Sequence, residues 1–145
     1  MQPEGCIVCR DDELPLGMHV LAETPTVEAM SMESVPLPGY VRVTSKKHVV
    51  EPFDLEVEDQ KLCWTGAMLV ARGVADVIRP TKMNYEIHGN TIPHLHVHLF
   101  PRYRGDPFEG GPIDPRAVRS SPYGEGEFDA FVARLRAGLH PEARP

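Results

Sequence analysis

The stretch Pro93-His94-Leu95-His96-Val97-His98-Leu99-Phe100 decides how the rest of the chain reads. Imidazoles alternate with apolar side chains along it. In a β-strand successive side chains point to opposite faces, so His94, His96 and His98 line one face, about 6.6 Å apart at each step. Leu95, Val97 and Leu99 then enter a core on the other face. A row of three imidazoles is costly to bury without partners, so this face predicts chemistry rather than packing. Two chemistries suit it. The row can hold a catalytic metal through its ring nitrogens. Alternatively, one neutral imidazole acts as nucleophile or general base, because histidine titrates near pH ~6.5. Attack on phosphorus would give a phosphoramidate, dividing one difficult displacement into two easier ones. The flanking rings would orient it and donate to phosphate oxygens.

Outward from this strand, Thr81 to His88 reads as a strand that the Gly89-Asn90 turn returns, antiparallel, into a strand from Ile92 to Phe100 closed by Pro101. Further upstream, Gly17 to Ala22, Thr26 to Glu33 and Tyr40 to Thr44 have strand character. The last two pair as a hairpin across Pro36, Pro38 and Gly39. Val41 and Val43 share one side of their strand. Between hairpin and triad, Asp54 is the expected N-cap of a long helix. Its stripe is Leu62, Leu69, Val70, Val74, Val77 and Ile78, and Pro80 stops it. Downstream, residues 105–127 are dense in Gly and Pro and predict an irregular surface loop. Phe128, Phe131, Val132 and Leu135 predict a short C-terminal helix over 128–139. The fold class is α+β: an antiparallel sheet of about five strands, one long helix and a short C-terminal one.

The 145 residues are expected to form a single domain, 1–145. Hydrophobic residues at 41% and charged residues at 25% match globular usage, which argues against long disorder. A net charge of -6 offers no broad field for a nucleic-acid backbone, so no nucleic-acid partner is expected. No apolar run is long enough to span a membrane, and the first residues lack the pattern of a signal peptide. The expected location is the cytoplasm. Three cysteines without a secretion signal argue against a disulfide framework. Cys6 and Cys9 have the C-x-x-C spacing of a zinc site, which leaves two ligands to be found elsewhere. Cys63 reads as a small buried hydrophobe. His19, His88 and His140 have no motif company, although His88 lies near the turn. Trp64 reads as core or dimer contact, and Arg102 and Arg104 as candidates for distal phosphates.

Residues 94–100 match in full the His-φ-His-φ-His-φ-φ signature, φ being apolar, and the sequence here resembles the histidine-triad (HIT) family. The likeness extends over about residues 5–104 and takes in Cys6-x-x-Cys9, Pro36 to Gly39, Lys46-Lys47-His48 and the long helix. The Gly89-Asn90-x-x-Pro93-His94 run with Pro101-Arg102-Tyr103 is similar to a zinc-containing bacterial branch that is diadenosine polyphosphate hydrolase-like. The resemblance implies a HIT-like fold and a nucleotidyl hydrolase or transferase acting at the α-phosphate of a purine nucleotide. The substrate would be a dinucleoside polyphosphate, a phosphoramidate or an adenylylated molecule. It implies a catalytic His96 that becomes covalently nucleotidylated, and His98 at the α-phosphate oxygens or leaving group. Asn84, Asn90, Thr91 and Glu33 would contact the nucleotide, Glu33 at the ribose hydroxyls. It also implies a structural zinc on Cys6, Cys9, His48 and His94, no catalytic cofactor, and a homodimer. The rival readings are a metalloenzyme using the histidine row as ligands, and a nucleotide-binding regulator with little turnover.

Overall fold

A computed structural model of the chain describes residues 5–10, 14, 17–117 and 120–139; His140 therefore lies outside the described residues. Five strands form one antiparallel sheet in the order β1-β2-β3-β5-β4. They are β1 (Met18–Glu23), β2 (Val27–Met32), β3 (Val41–Ser45), β4 (Lys82–Glu86) and β5 (His96–Arg102). Helix α1 (Val57–Ile78) joins β3 to β4, and α2 (Glu127–Leu139) follows β5. The expected α+β class, the five antiparallel strands and the two helices are all present.

Alternation sorts the sheet into two faces. Val41 and Val43 of β3, and Val97 and Leu99 of β5, enter a core with Val27 and Ala29 of β2. Both helices pack there, α1 through Ala67, Val70, Ala71 and Val74, α2 through Phe128, Phe131, Val132 and Leu135. Each fully buried Val, Leu or Phe side chain contributes about 1.5–3 kcal/mol. The opposite face carries His96, His98 and Phe100. A second cluster of Val35, Leu37, Tyr40, Phe100 and Ile113 forms over it. The segment after β5 is thus tied down as far as Ile113 rather than laid loosely on the surface. Ile113 is buried, and the Arg102 guanidinium holds the Asp106 carboxylate and the carbonyls of Phe108 and Gly111.

Several boundaries differ from expectation. The triad strand starts at His96, because Pro93 lacks an N–H and the His94 amide turns back to the Ile92 carbonyl. It also runs through Pro101 to Arg102. Past Leu99 it is paired on one edge only, where proline is tolerated. Asp54 closes a 3-10 turn, Pro52–Asp54, and the N-cap of α1 is Glu56. Glu58 and Asp59 in the first turn suit the helix dipole in place of a side-chain cap. Leu62 and Leu69 are half-exposed, about a third of a turn away from the stripe of Val70 and Val74 that enters the core.

Gly39 in the Pro36–Gly39 turn has φ +82, and a Cβ there would lie 2.8 Å from Ile78 Cγ1. Both the left-handed backbone and the close approach demand glycine. Gly39→Ala is expected to cost about 2 kcal/mol or more. Thermal denaturation measures this, and an unchanged melting temperature would contradict it.

Candidate functional site

His96 and His98 stand on the central strand β5, opposite Thr44 and Arg42 of β3. All three triad imidazoles are buried, but they are put to different uses. The His96 Nδ1 lies 2.6 Å from the backbone carbonyl oxygen of His94. A carbonyl only accepts, so Nδ1 carries the proton and Nε2 keeps its lone pair. Burial first, then the charges of Arg42 and His88, lowers the His96 pKa, and the bond to His94 partly opposes this. The ring is therefore held neutral, with the lone pair of Nε2 available.

His98 Nδ1 lies 2.7 Å from the Tyr40 hydroxyl. Burial, with His96, His88 and Arg42 around it, pushes the His98 pKa down to about 3. Burial also raises the Tyr40 phenol well above its usual range. The phenol thus keeps its proton; donated to Nδ1, that proton leaves the His98 Nε2–H as a neutral donor. In the unfolded chain this ring titrates near pH ~6.5. Between that value and about 3, the unfolded state binds a proton that the native state refuses, so stability falls as pH falls through that window. His98→Gln is expected to shrink the loss of urea stability between pH ~7 and ~4.5. An equal loss in both proteins would count against this origin.

A cavity of about 560 Å³ opens in front of these rings. His96, His98, Arg42, Asn90 and Thr91 supply polar groups, whereas Met18, Met32, Val35, Pro36 and Ile113 make an apolar half. Gly89, with φ +67, turns the backbone so that Asn90 and Thr91 reach the rim. His88 also lines the cavity, with its Nε2 2.9 Å from a Glu86 carboxylate oxygen. The other oxygen of Glu86 accepts from the Ile113 amide. Two expected contacts are not brought here. Asn84, opposite Phe100 on β4, lines a neighbouring hollow with Arg102. Glu33 is exposed just past the end of β2, and Met32, Ser34, Val35 and Pro36 line the cavity instead. Arg102 is committed to the loop after β5, away from this cavity.

His94 faces elsewhere. Its Nε2 donates to the Ser45 carbonyl at 2.7 Å, leaving Nδ1 as a lone-pair donor. That nitrogen lies 3.5 Å from Cys6 Sγ, 3.4 Å from Cys9 Sγ and 3.2 Å from His48 Nδ1. All four donor atoms fall within 4.8 Å of one another. Ligands at zinc–sulfur distances of about 2.3 Å and zinc–nitrogen distances of about 2.0–2.1 Å form tetrahedron edges of about 3.3–3.8 Å. The donor set and its spacing fit a divalent metal of that kind. The second His94 nitrogen is anchored, as metal-bound imidazoles require. Among the described residues this is the group able to hold a metal; His96 and His98 are not in it. The three imidazoles do not converge on one point, which removes the geometric basis for a catalytic metal on the row.

Tyr40 and Arg42 were not singled out from sequence. The signal was present in the alternation itself: a charged residue between Val41 and Val43 must face the triad side. Ile113 had no local signal, since a lone apolar residue in a Gly/Pro-rich segment has no period.

Residues 16–105 match the profile of the HIT domain. The chain is 28% identical over 99 residues to the bis(5′-nucleosyl)-tetraphosphatase (asymmetrical) of Schizosaccharomyces pombe, covering 65% of this chain and 54% of that protein. It thus spans about half the length of that relative. A histidine triad protein from Marinobacter aquaeolei superposes with a TM-score of 0.74 at 26% identity, covering 88% of this chain and 92% of that one. A Zn-bound histidine triad family protein from Mycobacterium smegmatis shares the fold, with a TM-score of 0.62 at 20% identity over 85% and 84% of the two chains.

Proposed function

Because this chain belongs to the HIT domain family, we propose that it is a nucleotidyl hydrolase or transferase cleaving at the α-phosphate of a purine nucleotide substrate. The observation that carries the reading is the 2.6 Å hydrogen bond from His96 Nδ1 to the His94 carbonyl. It points the lone pair of Nε2 away from the backbone on a strand that faces the cavity. Nε2 attacks the α-phosphorus, the N–P bond forms, and the P–O bond to the leaving group breaks. A polyphosphate leaves as an anion and needs no proton. Water then attacks the same phosphorus, the N–P electron pair returns to Nε2, and a nucleoside monophosphate is released with the water proton passing to solvent. His98, neutral and donating through Nε2–H, and the Asn90–Thr91 rim would hold the oxygens on which charge develops.

The S. pombe relative's name supports a dinucleoside polyphosphate as substrate. A phosphoramidate or an adenylylated molecule fits the same attack, an amine leaving group taking its proton from solvent. Cys6, Cys9, His48 and His94 would hold a structural zinc, as in the zinc-containing, diadenosine polyphosphate hydrolase-like branch. When bound, the metal would tie the N-terminal segment to the sheet and leave no open position for water. A homodimer is part of the reading. It is supported by the unpaired edge of β4 and by Trp64, Tyr85 and Ile87, all about half exposed. Light scattering tests it: a mass of 16.2 kDa rather than twice that would remove the dimer.

The experiment for the chemistry is incubation with labelled diadenosine tetraphosphate, an acid-free quench and mass spectrometry of the peptides. A monophosphate on the His96 peptide is expected. Nucleotide binding with neither adduct nor monophosphate release, across polyphosphate and phosphoramidate substrates, would favour a regulator.

A further inference from the structure

Arg42 projects from the middle of β3 onto the triad face, opposite His98 on one side and Met30 on the other, and lines the cavity. Its guanidinium is poorly satisfied. One terminal nitrogen meets only the Met30 thioether at 3.4 Å, and Nε is buried without a partner. Among the described residues no carboxylate is ion-paired with it. Glu28 on β2, diagonal to Arg42, senses its charge without pairing with it, and burial chiefly pushes that carboxyl up. Asp114, also in the cavity wall, is engaged by Arg116. A half-buried guanidinium without a counter-anion is costly, and a bound anion offsets that cost.

The surroundings say which part of a substrate would bring the anion. Across the sheet Arg42 lies between His98 of β5 and the β2 and β1 side that carries Met32 and Met18, where a sugar would join phosphate to base. A neutral ribose diol is met by a carboxylate acceptor, whereas a ribose phosphate is met by an arginine. Glu33 points out of this cavity, and a guanidinium stands inside it. This inference rests on the nucleotide reading above. We propose that Arg42 is a specificity-determining residue that selects a nucleotide carrying a second phosphate on its ribose, at the 2′ or 3′ oxygen.

Titration calorimetry on the purified protein tests this, with AMP, adenosine 2′,5′-bisphosphate and adenosine 3′,5′-bisphosphate as probes. One bisphosphate is expected to bind about 10–100-fold more tightly than AMP, and the arm that wins identifies the oxygen. In Arg42→Leu that ratio is expected to fall to near 1, with Arg42→Lys keeping part of it. Equal affinity of the wild type for all three probes overturns the proposal, whatever the variants do. So does a preference that survives in Arg42→Leu. Binding of none of the three overturns the nucleotide reading itself, and the proposal with it. A wild type that binds AMP but ignores the added phosphate overturns the proposal alone.

Discussion

Replacing His96 with alanine is expected to lower kcat about 10³-fold or more while nucleotide still binds. The reason is local. The His96 ring is held by a hydrogen bond of 2.6 Å to the carbonyl two residues earlier, which keeps the proton on Nδ1. No other neutral imidazole on this face has that arrangement. His98 shares its Nδ1 with the Tyr40 hydroxyl, and His94 is turned toward Cys6 and Cys9. Alanine removes the attacking atom but leaves Arg42, Asn90, Thr91 and the apolar half of the cavity in place. Single-turnover assays with a dinucleoside polyphosphate give the chemical step, and calorimetry gives binding. Wild-type turnover in His96→Ala would remove the covalent mechanism. A loss of binding in step with turnover would point to collapse of the cavity instead.

Cys9→Ser is expected to abolish stoichiometric zinc and lower the melting temperature by about 10 °C or more. The Cys9 Sγ lies 3.2 Å from His48 Nδ1 and 3.4 Å from His94 Nδ1, so its thiolate would complete a four-donor set. Burial raises the Cys9 thiol pKa, with the Cys6 neighbour adding to the effect. A divalent cation reverses that preference, because a coordinated thiol is deprotonated. A serine hydroxyl is a poor substitute. The remaining donors then crowd at distances suited to an ion they no longer hold. The loss is expected to be greater in stability than in kcat, because the His96 bond uses the His94 backbone and not its ring. Elemental analysis with differential scanning calorimetry decides it. Full zinc content and an unchanged melting temperature in Cys9→Ser would refute the site.

Much of the fold was legible because period-2 alternation is a local property. Val41 and Val43, and Val97 and Leu99, announce which side of each strand is core; β4 and β5 pair antiparallel as expected, but Glu86 faces His98 and the connection 87–95 replaces a tight Gly89-Asn90 turn. The long helix was legible through Val70 and Val74, but its start was not. Asp54 has the right chemistry for a cap, yet Pro52 and Phe53 take it into a 3-10 turn and Glu56 takes its place. Glu33, the carboxylate that the family resemblance puts at the ribose hydroxyls, does not line the cavity. It lies just past the end of β2, where alternation no longer fixes the face, and its neighbours Met32 and Ser34 line the cavity.

By itself the sequence determined the membership of the triad face, the C-x-x-C pair and the antiparallel frame, since each depends on spacings of a few residues. Only the tertiary structure decided how the three histidines divide their labour. Equal spacing along a strand makes them equivalent; what separates them is the partner each ring nitrogen meets, supplied by the backbone at residue 94, by Tyr40 across the sheet and by Ser45 and the cysteines. Those partners are distant in the chain or lie on the main chain. The proton position that leaves the Nε2 lone pair of His96 available is therefore a property of packing, with no trace in residue order.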